Sequence, residues 1–154
     1  MKEYTYNIIN DVYNWMISKK KNIEVRILKE KSQAIQVGDI ITFNNQDSIG
    51  EFVKVKVVNK TIVNNLQELL DRFDVERMMP GHSEEELVEL MNTIYGSELN
   101  NKQIVAFEFE YISSDKENWL ADRNVCFSFL LWMAIITKIY DFNISVKNKL
   151  LNYQ

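Results

Sequence analysis

An α+β fold, a small sheet or barrel flanked by helices, is what this sequence predicts, and three features predict it. Several short segments alternate apolar and polar residues with the period of a half-buried strand. Between the third strand and the last, two segments carry capping residues followed by apolar residues at helical spacing. The chain of 154 residues suits one domain with an appendage, and its 46% hydrophobic and 26% charged content excludes a disordered class.

The first element is an amphipathic helix, because Ile9, Val12, Tyr13 and Met16 fall at i, i+3, i+4 and i+7 on one stripe. Lys19, Lys20 and Lys21 follow at its C-terminal end, where positive charge complements the helix dipole. The period then changes: Ile23, Val25 and Ile27 alternate with Glu24 and Arg26, a strand with one apolar face. Gly38 and Asp39 turn into a second strand that runs to Phe43. The turn-rich NNQDSIG at 44–50 leads to a third, where Val53, Val55 and Val57 alternate with Lys54 and Lys56.

Asn65 and Glu68 are spaced as a capping box ahead of Leu66, Leu69, Leu70 and Phe73. Ser83 and Glu86 repeat the device before Leu87, Leu90, Met91 and Ile94, and Gly96 supplies the stop. The intervening DVERMMPGHS reads as an irregular loop outside the core. In the last strand Val105, Phe107, Phe109 and Tyr111 alternate with Glu108 and Glu110. The expected order is helix, three strands, two helices, strand.

Residues 113–154 differ in kind. VCFSFLLWMAIIT, 125–137, is a run of 13 residues without a charge. A membrane-spanning helix needs about 20 such residues, so the run is expected to be a buried helix, packing on the domain or on a second copy in a homodimer. The expected division is a domain over 1–112 and a helical extension over 113–154.

Net charge of -4 conceals an asymmetry. Residues 18–32 hold six Lys/Arg and two Glu, a local +4, which would guide an anionic ligand to one place. The single Cys126 excludes an internal disulfide and a multi-cysteine zinc site. His82, the one histidine, sits in a turn after Pro80 and Gly81, and Glu84, Glu85 and Glu86 occupy a helix first turn where carboxylates suit the dipole. With no glycine-rich phosphate loop, nucleophile elbow or HExxH motif, no cofactor and no metal are expected. The N-terminus has no signal-like pattern, so a cytoplasmic location is expected.

Lys21-x-x-Glu24-x-Arg26, followed by Val37-Gly38-Asp39-x-Ile41 and a valine-rich strand, resembles the ASCH family of small PUA-like β-barrel domains. The LQELL helix, the PG-S-EE approach to the next helix, Tyr95 closing it, and the final VAFEFEY strand extend the likeness over about residues 7–112. The resemblance implies a PUA-like barrel with a cleft that binds RNA. It also implies, from relatives that hydrolyse acetylated cytidine or RNA, a catalytic lysine, threonine and glutamate. Lys21 matches the lysine and Glu76 the glutamate, while the threonine position holds Glu24.

Strand geometry places Glu24 and Arg26 on one face, about 6–7 Å apart. The guanidinium suits a phosphate or carbonyl, and the carboxylate suits an amine. The bland alternative is a surface pair worth less than about 1 kcal/mol. Lys21 reaches that face only if the strand starts after it. It would become basic or nucleophilic only if burial lowered its pKa, with Lys19 and Lys20 pushing the same way and Glu24 opposing. The expectation is therefore a domain that binds RNA or a modified nucleoside through Lys21, Glu24, Arg26, Asp39 and Tyr95. Single-stranded or loop RNA is favoured over duplex DNA, because a small pocket reads splayed bases. The alternatives are a hydrolase using Lys21, Glu24 and Glu76, and an interaction protein using the C-terminal helix.

Overall fold

The structure is a computed structural model, and it describes residues 1–115. The expected helix over the 125–137 run, and any dimer made through it, lie outside the described residues. Strands β1 (Glu3–Ile8), β2 (Ile23–Ile27), β3 (Ile40–Asn45), β4 (Phe52–Val63) and β5 (Ile104–Ser114) form one sheet in the order β1-β3-β4-β5-β2. Helices α1 (Asn10–Ile17), α2 (Glu30–Ala34), α3 (Leu66–Arg72), α4 (Val75–Met78), α5 (Glu84–Tyr95) and α6 (Glu98–Asn101) flank it. Among the described residues no helix is long and apolar enough to cross a membrane.

The long strands β4 and β5 pair antiparallel, with register shifts at Lys54/Val55 and Val57/Asn59. Such irregularities bend a strand and increase its twist. The sheet curls into a half-barrel whose two edge strands face each other across an open seam. The guanidinium of Arg26 on β2 lies 4.0 Å from the ring centroid of Tyr6 on β1, so side chains rather than a ladder bridge that seam.

Strand β5, paired on both sides by β4 and β2, feeds two cores. Val105, Phe107 and Phe109 pack with Tyr13, Met16, Phe43, Val53, Val55 and Val57 in one. Ile104 and Ala106 pack with Ile23, Ile27, Leu69, Met78, Leu87 and Met91 in the other. Two-sided burial explains why β5 reads as a nearly continuous apolar run at its start.

Two expectations are corrected. The first element is not the amphipathic helix: the edge strand β1 precedes it and runs parallel to β3, with Tyr4 opposite Ile41 and Tyr6 opposite Phe43. The segment DVERMMPGHS is not outside the core: it forms α4, and Val75, Met78 and Met79 are buried. Asp74 caps it by accepting from the Glu76 N–H at 2.9 Å, a local device that lets a very short helix form. The Ser83–Glu86 capping box forms in both directions. Asn65 accepts from the Glu68 N–H, but the Glu68 carboxylate turns back to Asn64 instead.

Gly38, at φ +91, makes the turn into β3. Beside it Asp39 accepts from the backbone N–H of Lys2 at 2.7 Å and of Gln36 at 3.0 Å, tying β1 to this turn. These donors hold its carboxyl below the usual aspartate range. A carboxylate with a depressed folded pKa stabilises above its unfolded pKa, about 3.9, and loses that contribution as pH falls through the folded value. Asp39→Asn is therefore expected to lower the melting temperature at pH 7, and the deficit should shrink as pH falls through the depressed folded value. A constant deficit across that range, read by thermal melts, would show that charge has no part in the clamp.

Candidate functional site

After α1 the chain reverses through Lys19, which adopts a left-handed φ of 59°. The backbone N–H groups of Lys20 and Lys21 both donate to the Trp15 carbonyl, at 3.0 and 3.1 Å. This turn sends the Lys21 side chain inward just before β2 begins at Ile23. Its ammonium donates to the Ile23 carbonyl at 2.7 Å and the Met78 carbonyl at 2.6 Å, and lies 3.4 Å from Glu24 Oε2. Three N–H groups thus meet three acceptors, and α4 is pinned against β2. Glu24 Oε1 accepts from Arg26 Nε at 2.9 Å, and the guanidinium stacks over Tyr6.

Lys21 is 7% exposed, Glu24 6% and the Arg26 side chain 25%, so Glu24–Arg26 is not a fully exposed surface pair. Burial pushes the Lys21 pKa below the ordinary lysine value; Glu24 opposes this shift and Arg26 adds to it. Lys19 and Lys20 do not take the part expected of them. Lys19 sits over the Tyr111 ring at 4.8 Å, and Lys20 is exposed. The basic run is dispersed further: Lys29 pairs with Glu98 at 3.1 Å, and Lys31 lies over the Tyr6 ring and donates to the Thr5 carbonyl. Of the basic run, Lys21 and Arg26 meet at Glu24, and Lys31 shares the Tyr6 ring with Arg26.

The triad lines a pocket of about 390 Å³ at the seam of the half-barrel. Val12 and Trp15 of α1, Met78 and Met79 of α4, and Leu87, Met91 and Tyr95 of α5 contribute apolar walls, while Asn7 and Gln46 are the polar residues opposite the triad. Ile9, Leu90 and Ile94 form an apolar lip that stays substantially exposed. Volume and composition fall in the range of small-molecule sites, in which a few polar groups orient a mostly apolar ligand. Burial raises the pKa of Tyr6 and Tyr95, so both phenols stay neutral at physiological pH.

The structure brings together Lys21, Glu24, Arg26 and Tyr95 and leaves two other candidates apart. Asp39 is the turn clamp described above and does not line the pocket. Glu76 is exposed, accepts from the Gly81 N–H at 2.8 Å, and lines a separate shallow surface hollow with Asp71, Asp74 and His82. The expected catalytic set of Lys21, Glu24 and Glu76 is not assembled. His82 packs edge-on against Trp15, with ring centroids 5.4 Å apart, and its Nδ1 lies 3.0 Å from the Pro80 carbonyl. No group of three or more His, Cys, Asp or Glu side chains among the described residues could hold a metal ion. Trp15, Met78 and Met79 went unread as pocket residues; Trp15 lies outside the predicted apolar stripe, and the methionines lie in the segment taken for a loop.

No family model matches the sequence, and no curated protein matches it significantly. Solved structures do. The crystal structure of hypothetical protein PH0355 is 31% identical with a TM-score of 0.63, covering 73% of this chain and all of its own. The solution structure of protein PF0455 from Pyrococcus furiosus is 26% identical with a TM-score of 0.59, over 73% of this chain and 99% of that one. ASCH from Zymomonas mobilis is 14% identical with a TM-score of 0.51, over 70% of this chain and 66% of that one, a likeness of fold. The strand order, the curled sheet and these neighbours agree: the chain belongs to the same family as hypothetical protein PH0355 and has the α+β, PUA-like fold of the ASCH domain.

Proposed function

We propose that the seam pocket binds one unpaired base of an RNA, or a modified nucleoside. The observation that carries this reading is the Lys21–Glu24–Arg26 triad, with Lys21 and Glu24 buried and Arg26 half-buried, on the polar side of an otherwise apolar pocket of about 390 Å³. A base needs apolar faces to stack on and a few fixed hydrogen-bonding groups at its edge. Trp15 and Tyr95 offer the first, and Glu24 offers acceptor positions beyond those taken by Lys21 and Arg26. Arg26 has only its Nε engaged by Glu24, leaving its terminal amino groups for a phosphate or a carbonyl.

Lys21 serves in this reading as a fixed donor: burial lowers its pKa, but its ammonium is already held by the Ile23 and Met78 carbonyls and by Glu24. Titration of the full chain with the common nucleosides, acetylated cytidine and short single-stranded RNA is expected to give saturable binding. Affinity for the oligomers should fall modestly with salt, with a log–log slope of about -0.7 per phosphate contacted. The same incubations report on hydrolysis, and the substrates are expected to be recovered intact. Absence of binding to every nucleoside and oligomer would end the proposal.

A further inference from the structure

We infer that the main chain of Val25, on the open edge of β2, reads the Watson–Crick edge of the base held in the seam pocket. The inference rests on the pocket reading above and adds which atoms recognise the base. Among the described residues strand β2 is the terminal strand of the sheet and pairs with β5 alone. The Phe109 N–H donates to the Asn22 carbonyl at 3.0 Å, and the Leu28 N–H donates to the Gln103 carbonyl at 2.7 Å. In an antiparallel ladder alternate residues face the partner, so these two bonds point the backbone of Glu24 and Arg26 toward β5 and that of Ile23, Val25 and Ile27 into the seam. The seam-facing carbonyl of Ile23 is taken by Lys21 Nζ. That of Ile27 accepts from Ser32 Oγ at 3.2 Å, and the Ile27 N–H engages the Tyr95 phenol oxygen. Val25 is left with a donor and an acceptor side by side, without a partner among the described residues, and it lines the pocket between Glu24 and Arg26.

A free N–H beside a free C=O on one residue is complementary to a ring N–H next to a carbonyl, or to an amino group next to a ring nitrogen. Every unpaired nucleobase presents one of these on its Watson–Crick edge, and a base in a duplex has it occupied. The opening does not suit a peptide strand. Main-chain pairing needs a run of free edge groups, and on either side of Val25 the outward carbonyls are already bonded. Val25 is half-buried at the pocket wall, and the unpaired main-chain groups of an edge strand are ready to pair with a ligand that enters beside them.

The test is an NMR titration of the 15N-labelled full chain with the four common nucleosides and inosine. Uridine is compared with 3-methyluridine and inosine with 1-methylinosine, since the methyl group removes the ring donor. The expected result is a downfield shift of the Val25 amide proton and about tenfold weaker binding of the methylated member of each pair that binds. If the Trp15 indole and Arg26 Nε signals move while the Val25 amide does not, and methylation changes nothing, the inference fails and the pocket reading stands. If no nucleoside or single-stranded oligomer moves any of these signals, the pocket reading fails first. Saturable movement of the Val25 amide with an extended peptide, and with no nucleoside, would overturn the inference in favour of strand pairing.

Discussion

Lys21→Met is expected to destabilise the fold by about 3–5 kcal/mol, the range seen when one partner of a buried ion pair is removed. The variant leaves Glu24 in the interior with Arg26 as its remaining ionic partner, and strips the Met78 and Ile23 carbonyls of their donor. The loss of the Met78 contact also frees α4 from β2, so a larger effect than simple charge removal follows. Adding Glu24→Gln should recover part of the loss, because replacing both charges of a buried pair removes the uncompensated ion. Denaturant unfolding at pH 7 measures both. A lysine with a depressed folded pKa disfavours the folded state at low pH. Between that value and the unfolded value of about 10.5 the unfolded chain binds more protons, so stability rises with pH across this window. That rise should be present in the wild-type protein and missing from the Lys21→Met variant when the two are compared. A loss under about 1 kcal/mol in the variant would mean that Lys21 holds nothing together.

Most of the core was legible in the pattern of the chain. The valines of β4 and the aromatics of β5 alternate because one sheet face is buried there, and the helical spacing in α1, α3 and α5 follows the same rule. Edge strand β1 escaped notice although Tyr4, Tyr6 and Ile8 also alternate; its polar positions face solvent and its aromatics are only half-buried. Helix α4 escaped because a valine, a glutamate, an arginine and a methionine carry no clear period over four residues, and it is buried by packing and a Lys21 hydrogen bond from a distant part of the chain. The site shows the same division. Local spacing was enough to put Glu24 and Arg26 on one face, and the strand start at Ile23 turned Lys21 toward them. That Lys21 and Glu24 would be buried and that Lys29 would be drawn off to Glu98 depends on contacts 50 to 70 residues apart in the chain, which no short window contains.

Arg26→Ala is expected to weaken base or oligomer binding by about 30-fold, roughly 2 kcal/mol, for two reasons that combine in one side chain. The guanidinium supplies free donors at the pocket, and through its Nε it fixes the Glu24 carboxylate that is proposed to accept from the ligand. It also covers the Tyr6 ring and so closes the seam between the two edge strands that frame the site. Arg26→Lys should not restore binding. An ammonium keeps the charge but lacks the planar fork that bonds Glu24 while lying flat on an aromatic ring. For a single-stranded oligomer the salt slope should also shrink by about one phosphate's share if Arg26 contacts the backbone, and stay unchanged if it contacts the base alone. Glu76→Ala, which removes an exposed acceptor from the Gly81 N–H on a different surface, should leave binding as it was. Equal binding by the Arg26→Ala and wild-type proteins would separate the triad from ligand recognition and leave it a purely structural lock on the seam.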